Sequence, residues 1–258
     1  MQIDCFTLSM NQGEFLSEAI DSILNQAVGV NYLVYDAGSS DGTIEFLEKY
    51  RPGEFSKIFV NGDLGPSDGL NFGLQNATGD LFYYLNADDR LLPGVFSYVT
   101  QYFLDNPECD VLHGSINIID SSGAFVKVLP SMEFSLKGYA LGYAVVYQQA
   151  TFIRNRVLKD VRFNIENRIS WDGEFIVDLA IKGARIHRTR KVLGEFRIYS
   201  ESISGSTNYK SLAKQQHKII SAKILGRNRT PLEFFFAIFF RTIRALSRRI
   251  SPQIEYIN

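Results

Sequence analysis

The chain has 258 residues, enough for one large α/β domain or one domain with an appendage, and its 45% hydrophobic and 21% charged residues are ordinary for a globular protein. Its formal net charge of −1 hides an asymmetry, because residues 1–201 carry 17 basic and 26 acidic side chains (−9) and residues 202–258 carry 10 and 2 (+8). Two cysteines exclude a disulfide framework, and no apolar run approaches the roughly 18 residues that span a bilayer.

The first hundred residues alternate short apolar runs with amphipathic stretches of helical spacing. We expect strands at residues 3–8, 32–35, 58–60 and 81–85, and helices at residues 15–26, 43–50 and 67–76, with a further helix opened by Pro93. Strands that alternate with helices in short units indicate a parallel, doubly wound sheet.

The regular alternation ends after Asn106. The pattern there predicts a hairpin of residues 111–119 and 125–129, a helix at 172–181, a strand at 191–198 and a basic helix at 209–225.

Three loops that follow predicted strands carry residue types that bind sugar nucleotides. They read SMNQGE after the first strand, DAGSSDGT after the second and NADD after the fourth, and ligands of open α/β sheets collect at these carboxyl ends. Asp36 can accept a hydrogen bond from a base edge, and Gly38 allows the positive φ and close approach that a bound base requires. A turn followed by a helix N-cap explains the same residues equally well.

Asp88 and Asp89 place two like charges side by side at the end of an apolar strand, which is unfavourable unless a cation or hydrogen-bond donors neutralise them. A divalent cation would do so, because Mg²⁺ and Mn²⁺ prefer hard oxygen ligands together with substrate phosphates. A solvated turn is the alternative reading of this pair. The chain has no G-x-G-x-x-G loop, no Walker loop and no zinc-ligand spacing, so we expect phosphate binding to go through a metal.

Taken together, these segments resemble the family 2 inverting glycosyltransferases of the GT-A fold. The similarity extends in order over about residues 3–207, through NQGEFLSEAIDSILNQ, DAGSSDGT, GDLGPSDGLNFGLQNATGDLFYYLNADD, QQATFIRNRVL, WDGEF and VLGEFRIYSESIS. It implies an α/β fold with a Rossmann-like, mostly parallel central sheet flanked by helices. The catalytic domain would span residues 1–207, with a nucleotide-sugar-binding half (1–106) and an acceptor-binding half (107–207), followed by a basic, aromatic helical extension (208–258).

The resemblance also implies roles for individual residues. Asp36 would bind the pyrimidine base, Asp88 would face the ribose, and Asp89 would bind Mn²⁺ or Mg²⁺ with Asp88 beside it. Asp172 matches the carboxylate that family members use as catalytic base. The residues implied to contact the UDP-, dTDP- or GDP-sugar or the acceptor are Thr7, Ser9, Asn11, Asp36, Gly38, Asp68, Asn86, Asp88, Glu174 and Tyr199. For Glu174, two residues after Asp172, the role is either acceptor binding or support of the base. Tyr199 departs from the pattern, because family members often carry a His there that meets the metal or phosphate.

The resemblance to bacterial surface-polysaccharide enzymes implies a saccharide or a lipid-linked saccharide as acceptor. Phenylalanines and arginines at helical spacing in residues 232–250 suit an interfacial helix on anionic lipid. The same residues could instead pack on the catalytic domain or on a partner chain in a homodimer. The basic residues lack the motifs of nucleic-acid binders, so no nucleic-acid partner is expected. Without a visible secretory signal, we expect a cytoplasmic protein, peripheral on the inner face of the cell membrane.

Two other functions fit a nucleotide-binding sheet of this kind. A nucleotidyltransferase usually carries a glycine- and arginine-rich phosphate loop near its N-terminus, which TLSMNQGE is not. A catalytically silent homologue could serve as an assembly subunit, although the joint presence of Asp88, Asp89 and Asp172 argues against it.

Overall fold

Alternating strands and helices build the first half of the molecule, as the spacing of apolar residues predicts. The computed structural model describes residues 1–200, 210–247 and 254–257, without the side chains of residues 210 and 240–247. The elements of the first half are β1 (Ile3–Ser9), α1 (Gly13–Leu24), β2 (Val30–Asp36), α2 (Thr43–Lys49), β3 (Ser56–Phe59), α3 (Pro66–Asn76), β4 (Leu81–Asn86), β5 (Arg90–Leu91) and α4 (Val95–Asp105).

The second half supplies antiparallel strands and the remaining helices. Its elements are β6 (Val111–Ile119), β7 (Phe125–Leu129), α5 (Leu136–Ala140), β8 (Thr151–Arg154), α6 (Trp171–Ile181), β9 (Ile186–Arg197), α7 (Lys210–Leu225) and α8 (Pro231–Ser247). Arg248, Arg249, Ile250 and the end of the predicted catalytic domain, 201–207, lie outside the described residues.

One curled sheet in the order β3-β2-β1-β4-β8-β6-β9-β5 runs through the described chain, and β7 pairs with β6 at its side. The first four strands are parallel, with Ile3 of β1 paired to Val30 of β2 and to Leu81 of β4. β8 lies antiparallel to both β4 and β6, so β6 and its parallel neighbour β9 point the same way as the first four. The predicted α/β fold with a mostly parallel sheet flanked by helices is confirmed.

Side chains that alternate along each strand feed two hydrophobic layers, one on each face of the sheet. Cys5 and Tyr83 lie in the layer that includes Phe96 of α4, while Phe6 and Phe82 lie in the layer shared with α3 and α6. Gly73 lets α3 approach β1 closely, because a Cβ there would lie 2.8 Å from the ring of Phe6. The sheet therefore holds helices α3 and α6 on the same face.

Aromatic stacking fixes helix α6. Phe175 stacks on Phe163 with ring centroids 3.9 Å apart and planes 12° apart, and such pairs contribute about 0.5–1.5 kcal/mol beyond the area they bury. Both rings are buried. The start of α6 is thereby anchored on the face of the sheet that also carries α3.

Three sequence-based expectations need correction. Helix α4 does not start at Pro93 but at Val95, because Gly94 takes a left-handed conformation (φ 74°) at the N-cap. Strand β9 begins at Ile186 instead of residue 191, since its polar first residues pair through their backbone with Val111–His113 of β6. The short elements β5, α5 and β8 were not predicted.

The last described segments of the chain, residues 210–247 and 254–257, contact the rest of the molecule in two places. Helix α7 packs against α5 and α6, where Ser221 Oγ donates to the carbonyl of Ala140 over 3.1 Å. At the other end, Val192 N–H of β9 donates to the carbonyl of Glu255 over 2.9 Å, and Ile257 packs against the hydrophobic core. None of the helices in the described ranges is long and apolar enough to cross a membrane.

Candidate active site

A cavity of about 360 Å³ opens at the carboxyl ends of β1 and β4, against the start of α6. This is the edge where open α/β sheets bind ligands. Among its lining residues are Ser9, Asn86, Asp88, Asp172 and Tyr199. Five of the residues predicted to bind substrate, metal or acceptor proton therefore meet in one place.

The two adjacent carboxylates face different surroundings. Asp88 lines the cavity, and its Oδ2 lies 3.2 Å from the hydroxyl of Tyr199. Burial raises the pKa of the Asp88 carboxyl, while hydrogen bonds from its own backbone and from Tyr199, and the charge of Arg197, act in the opposite direction. The Asp88 carboxylate is the one that a ligand in the cavity would meet.

Asp89 is fully buried behind the cavity, and protein donors occupy both of its oxygens. Oδ1 accepts the backbone N–H of Arg197 over 3.0 Å, and Oδ2 accepts Gln149 Nε2 over 2.8 Å and Asn86 Nδ2 over 3.3 Å. Burial, followed by the charge of Asp88, raises the pKa of this carboxyl well above its usual value. Of the two ways to offset the charge repulsion, hydrogen-bond donors surround Asp89, whereas Asp88 is the carboxylate that lines the cavity.

Arg197 organises the loop that carries these carboxylates, although the sequence analysis did not single it out. Its side chain is fully buried, and Nε donates to the carbonyl of Asp88 over 2.9 Å while Nη2 pairs with Glu18 Oε2 over 2.7 Å. The guanidinium also lies over the ring of Phe15, 4.5 Å from its centroid. A buried Arg can be held this way only when carbonyls and a carboxylate satisfy its donors. Arg197 lies within the segment VLGEFRIYSESIS that carries the family resemblance, two residues before Tyr199.

Tyr199 occupies the position where the resemblance suggested a His. Its hydroxyl lies 3.2 Å from Gln12 Oε1 and from Asp88 Oδ2, and its ring lies 5.1 Å from that of Phe15. Burial, followed by the charge of Asp88, raises the pKa of Tyr199 to about 12. At neutral pH it is therefore a neutral hydroxyl beside Asp88.

Asp172 lies in the first turn of α6, on the wall of the same cavity. Burial raises the pKa of its carboxyl, against the opposing effect of hydrogen bonds from the backbone of Gly173 and of Asp172 itself. A raised pKa makes a carboxylate a stronger base, which is what proton abstraction from a hydroxyl requires. Trp171, the single tryptophan of the chain, lines the cavity beside it.

Glu174, two residues further along α6, points away from the cavity. It is 5% exposed, and its carboxylate accepts hydrogen bonds from Asn167 Nδ2 (2.7 Å), Lys223 Nζ (3.1 Å) and Asn164 Nδ2 (3.2 Å). Burial raises its pKa, but these three hydrogen bonds outweigh burial and the net pKa is lowered. Protein donors thus occupy the Glu174 carboxylate, which is not among the residues that line the cavity.

Hydrogen bonds connect the loops after β1 and β2 at the mouth of the cavity. Asn11 N–H donates to Ser39 Oγ, and Asn11 Oδ1 accepts the N–H of Ser40, each over 2.8 Å. Asp36 is fully buried. Its carboxylate accepts hydrogen bonds from the backbone N–H groups of Gly38 and Ser39 and from the Ser39 hydroxyl. Gly38 has φ 96°, as expected, and its absent Cβ would lie 3.1 Å from Gly62 N. Asp36 thus shapes this loop, while its neighbour Ala37 lines the cavity.

Two other predicted contacts lie outside the cavity lining. Thr7 is fully buried in the sheet and accepts a hydrogen bond from Tyr32, and Asp68 accepts the N–H of Leu64 over 3.1 Å. Asp63, which was not predicted, lines the cavity instead, and burial raises its pKa. Ser9 stays in the site, and its buried Oγ has no hydrogen-bond partner among the described residues.

The oxygen atoms around Asp88 determine what kind of cation could bind. Within the described ranges, no cluster of three or more His, Cys, Asp or Glu could hold a metal. One carboxylate, with a phenol and the amide oxygen of Gln12 nearby, suits Mg²⁺ or Mn²⁺ that is bound mainly through substrate phosphates and water. The residues present fit a cation that arrives with a diphosphate.

A larger cavity of about 620 Å³ lies near the start of β1, β2 and β3 and includes Asp4 and Asn31 in its lining. Asp4 accepts Asn31 Nδ2 over 2.8 Å, together with the backbone N–H groups of Thr78 and Gly79. Because its carboxylate is saturated and this end of a parallel sheet does not usually bind ligands, we place the chemistry in the smaller cavity.

Comparisons with known proteins identify the family of this chain. The family described as "Glycosyl transferase family 2" matches residues 5–161, more than half of the chain. An uncharacterized glycosyltransferase of Mycobacterium tuberculosis is 26% identical over 183 residues, which cover 69% of each chain. A PGL/p-HBAD biosynthesis glycosyltransferase of Mycobacterium bovis is 27% identical over 168 residues, covering 61% of this chain and 66% of that one.

Solved structures share the fold at low sequence identity. Residues 1–349 of S. aureus TarS, in complex with UDP-GlcNAc, superpose with a TM-score of 0.70 at 19% identity, covering 96% of this chain and 73% of that one. The mannosyltransferase PcManGT of Pyrobaculum calidifontis, in complex with GDP-Man and Mn²⁺, gives a TM-score of 0.65 at 14% identity, covering 95% and 70%. The chain spans 44% of a longer TarS structure. The predicted GT-A type fold is confirmed.

Proposed function

The chain belongs to glycosyl transferase family 2 and is a glycosyltransferase, and we propose that it transfers a sugar from a nucleoside-diphosphate sugar to an acceptor hydroxyl with inversion at the anomeric carbon. One observation carries this proposal: Asp88 and Asp172 line the same cavity, at the ligand-binding edge of the sheet. Inverting transfer needs a single base on one side of the sugar and a means of stabilising the departing diphosphate on the other.

Asp172 is the proposed base. In this role its carboxylate accepts the proton of the acceptor hydroxyl while that oxygen attacks the anomeric carbon and the bond to the diphosphate breaks. Burial raises the pKa of Asp172, so it holds the proton more strongly than an exposed Asp would. The carboxylate belongs to the first turn of α6, and Trp171 lines the same cavity.

Asp88 is the proposed metal ligand, in place of Asp89, and the cation is Mn²⁺ or Mg²⁺. A bound cation supplies positive charge beside the departing diphosphate, which makes a general acid unnecessary. Tyr199 and Gln12 orient the Asp88 carboxylate through the Tyr199 hydroxyl, and Arg197 holds its backbone. Ser9, with its unpaired hydroxyl, is placed to donate to the donor substrate.

The donor is proposed to be a UDP-, dTDP- or GDP-sugar, and the acceptor a saccharide or lipid-linked saccharide of a surface polysaccharide or glycolipid. The donor class is supported by the structural relatives in complex with UDP-GlcNAc and GDP-Man. The acceptor class is supported by the relatives named for PGL/p-HBAD biosynthesis.

Helix α8 is proposed to bind an anionic membrane surface, where such an acceptor would reside. Leu232, Phe234 and Phe235 are 64%, 54% and 64% exposed, whereas Ala237 of the same helix is buried. The sequence adds Arg241 and Arg244 to the same helix. Exposed aromatics with basic neighbours are the composition of interfacial helices.

The membrane proposal is tested with vesicles. Phe234→Ser combined with Phe235→Ser should reduce co-sedimentation with vesicles that contain phosphatidylglycerol, and leave nucleotide binding unchanged. Truncation after Asn228 is a poorer test, because it also removes residues 254–257, which pair with Lys191 and Val192. Equal sedimentation of variant and wild type would rule out this surface as the membrane contact.

The catalytic proposal is tested by nucleoside-diphosphate release, after a thermal-shift screen of UDP-, dTDP- and GDP-sugars has identified the donor. Release should require Mn²⁺ or Mg²⁺ and stop with a chelator. Asp172→Asn should lower turnover about 10²- to 10⁴-fold while donor affinity, measured by calorimetry, stays within a few fold. Asp160→Asn, an exposed carboxylate, is the matched control. Near-normal turnover of Asp172→Asn would refute the assignment of the base.

A further inference from the structure

Lys223 connects helix α7 to helix α6, the helix that carries Asp172. Lys223 Nζ lies 3.1 Å from Glu174 Oε1 and 2.5 Å from Asp178 Oδ1, both on α6. Glu174 is nearly inaccessible, with 6% of its side chain exposed, whereas the lysine side chain is 40% exposed. The lysine therefore enters from the surface and supplies positive charge to a buried carboxylate, which would otherwise be costly to keep ionised.

Glu174 is connected to the first residues of α6 through Asn167. The side chain of Asn167 donates to Glu174 Oε2 over 2.7 Å, and its Oδ1 accepts the backbone N–H groups of Ile169 (3.3 Å) and Ser170 (2.9 Å). Ser170 is the N-cap residue of α6. A continuous set of contacts thus runs from Lys223 to the segment directly before Asp172.

Helix α3 also holds the segment that precedes α6. Asn71 of α3 exchanges two hydrogen bonds with the backbone of Phe163, over 2.9 and 2.8 Å, and Asn164 donates to Glu174 over 3.2 Å. Residues 163–170 are therefore held between α3 and Glu174. If no positive charge from Lys223 balances Glu174, we expect only the contacts with α3 to hold this segment in place.

We propose that Lys223 is a positioning residue of the transferase: through Glu174 and Asn167 it fixes the start of α6, and so the place of Asp172 in the cavity. The inference rests on the proposed function in one respect, the role of Asp172 as base. It gives the C-terminal extension a part in the reaction that does not depend on any membrane contact. Lys223 is not among the described residues that line the cavity.

Lys223→Met tests the proposal, because it keeps an unbranched side chain that is shorter by one atom and removes the charge. We expect turnover to fall between about tenfold and a hundredfold, the effect of misplacing a catalytic group by about 1 Å, and the Kd for the nucleotide to stay within twofold. Lys223→Arg should restore most of the turnover. Lys218→Met, an exposed lysine on the same helix, should behave as wild type.

A readout independent of activity is available, since Trp171 is the single tryptophan and lies at the start of α6. In Lys223→Met its emission maximum and its quenching by acrylamide should change, whereas in Lys218→Met they should not. Glu174→Gln should produce a similar change, and adding it to Lys223→Met should have little further effect, as a double-mutant cycle measures.

The outcomes separate this inference from the proposed function. Wild-type turnover and unchanged Trp171 emission in Lys223→Met would overturn the inference. So would a parallel loss of turnover, nucleotide affinity and melting temperature, which indicates general unfolding. If Asp172→Asn stays active while Lys223→Met still alters Trp171 emission, the proposed base is wrong and the control of α6 by Lys223 stands.

Discussion

His113 gives the sharpest prediction for stability. It lies in the middle of β6, paired with Thr151 of β8 and Arg188 of β9, and is fully buried. Neither ring nitrogen has a hydrogen-bond partner within the described part of the chain. Burial, followed by the charge of Arg188, lowers the pKa of His113 from 6.5 to about 4. The folded protein therefore holds this histidine neutral at a pH where the unfolded chain binds a proton.

The sign and size of the effect follow from this difference. Between about pH 6.5 and about pH 4 the unfolded state binds more protons at this position, so the free energy of unfolding falls as the pH falls. Each pKa unit corresponds to about 1.4 kcal/mol, which gives about 3 kcal/mol over the whole range and about 2 kcal/mol between about pH 8 and about pH 5.

His113→Leu removes the titrating ring and its unpaired nitrogens at similar volume. At about pH 8 the variant should be as stable as wild type or more stable, because each unsatisfied buried polar group costs about 1–3 kcal/mol. At about pH 5 its advantage should be about 2 kcal/mol larger. Urea unfolding followed by circular dichroism at the two pH values measures this difference, and comparison with wild type cancels every other titrating group. Equal losses on acidification would refute the reasoning.

Three further predictions concern the site. Asp88→Asn should weaken Mn²⁺-dependent nucleotide binding in calorimetry with little change in melting temperature. Asp89→Ala should instead lower the unfolding free energy by about 1–3 kcal/mol for each donor left unpaired. The opposite pattern would show that Asp89 is the metal ligand. Arg197→Met should cost about 3–5 kcal/mol in urea unfolding, because it leaves Glu18 and the loop carbonyls without their buried partner, and a loss below about 1 kcal/mol would contradict this role. Tyr199→His, which places a stronger metal ligand beside Asp88, should tighten Mn²⁺-dependent nucleotide binding severalfold in calorimetry, and unchanged affinity would place Tyr199 away from the cation.

The parallel half of the sheet could be predicted because each of its strands is a local apolar run followed by an amphipathic helix. The other half could not, because β5 has only two residues and β8 follows directly on a polar turn, so their strand character comes from pairing with β9, β4 and β6. In these elements tertiary contacts decide the conformation and local preference does not.

The site divides in the same way. Its position after β1 and β4 and the presence of Asp88, Asp172 and Tyr199 follow from motifs that are local in sequence. Which of two adjacent carboxylates faces the cavity depends on partners more than 50 residues away, such as Gln149 for Asp89. Spacing along the chain carries no information about such partners, so the hydrogen bonds that surround Asp89 and Glu174 could not be predicted from the sequence.

The attachments on both sides of α8 have a mechanical consequence. Before α8, Lys223 of α7 forms ion pairs with α6. After α8, residues 254–257 pair with Lys191 and Val192 of β9. The described segments that precede and follow α8, residues 210–225 and 254–257, are thus both attached to the rest of the protein. A surface that binds α8 would therefore bind a helix that lies close in sequence to two segments that contact α6 and β9.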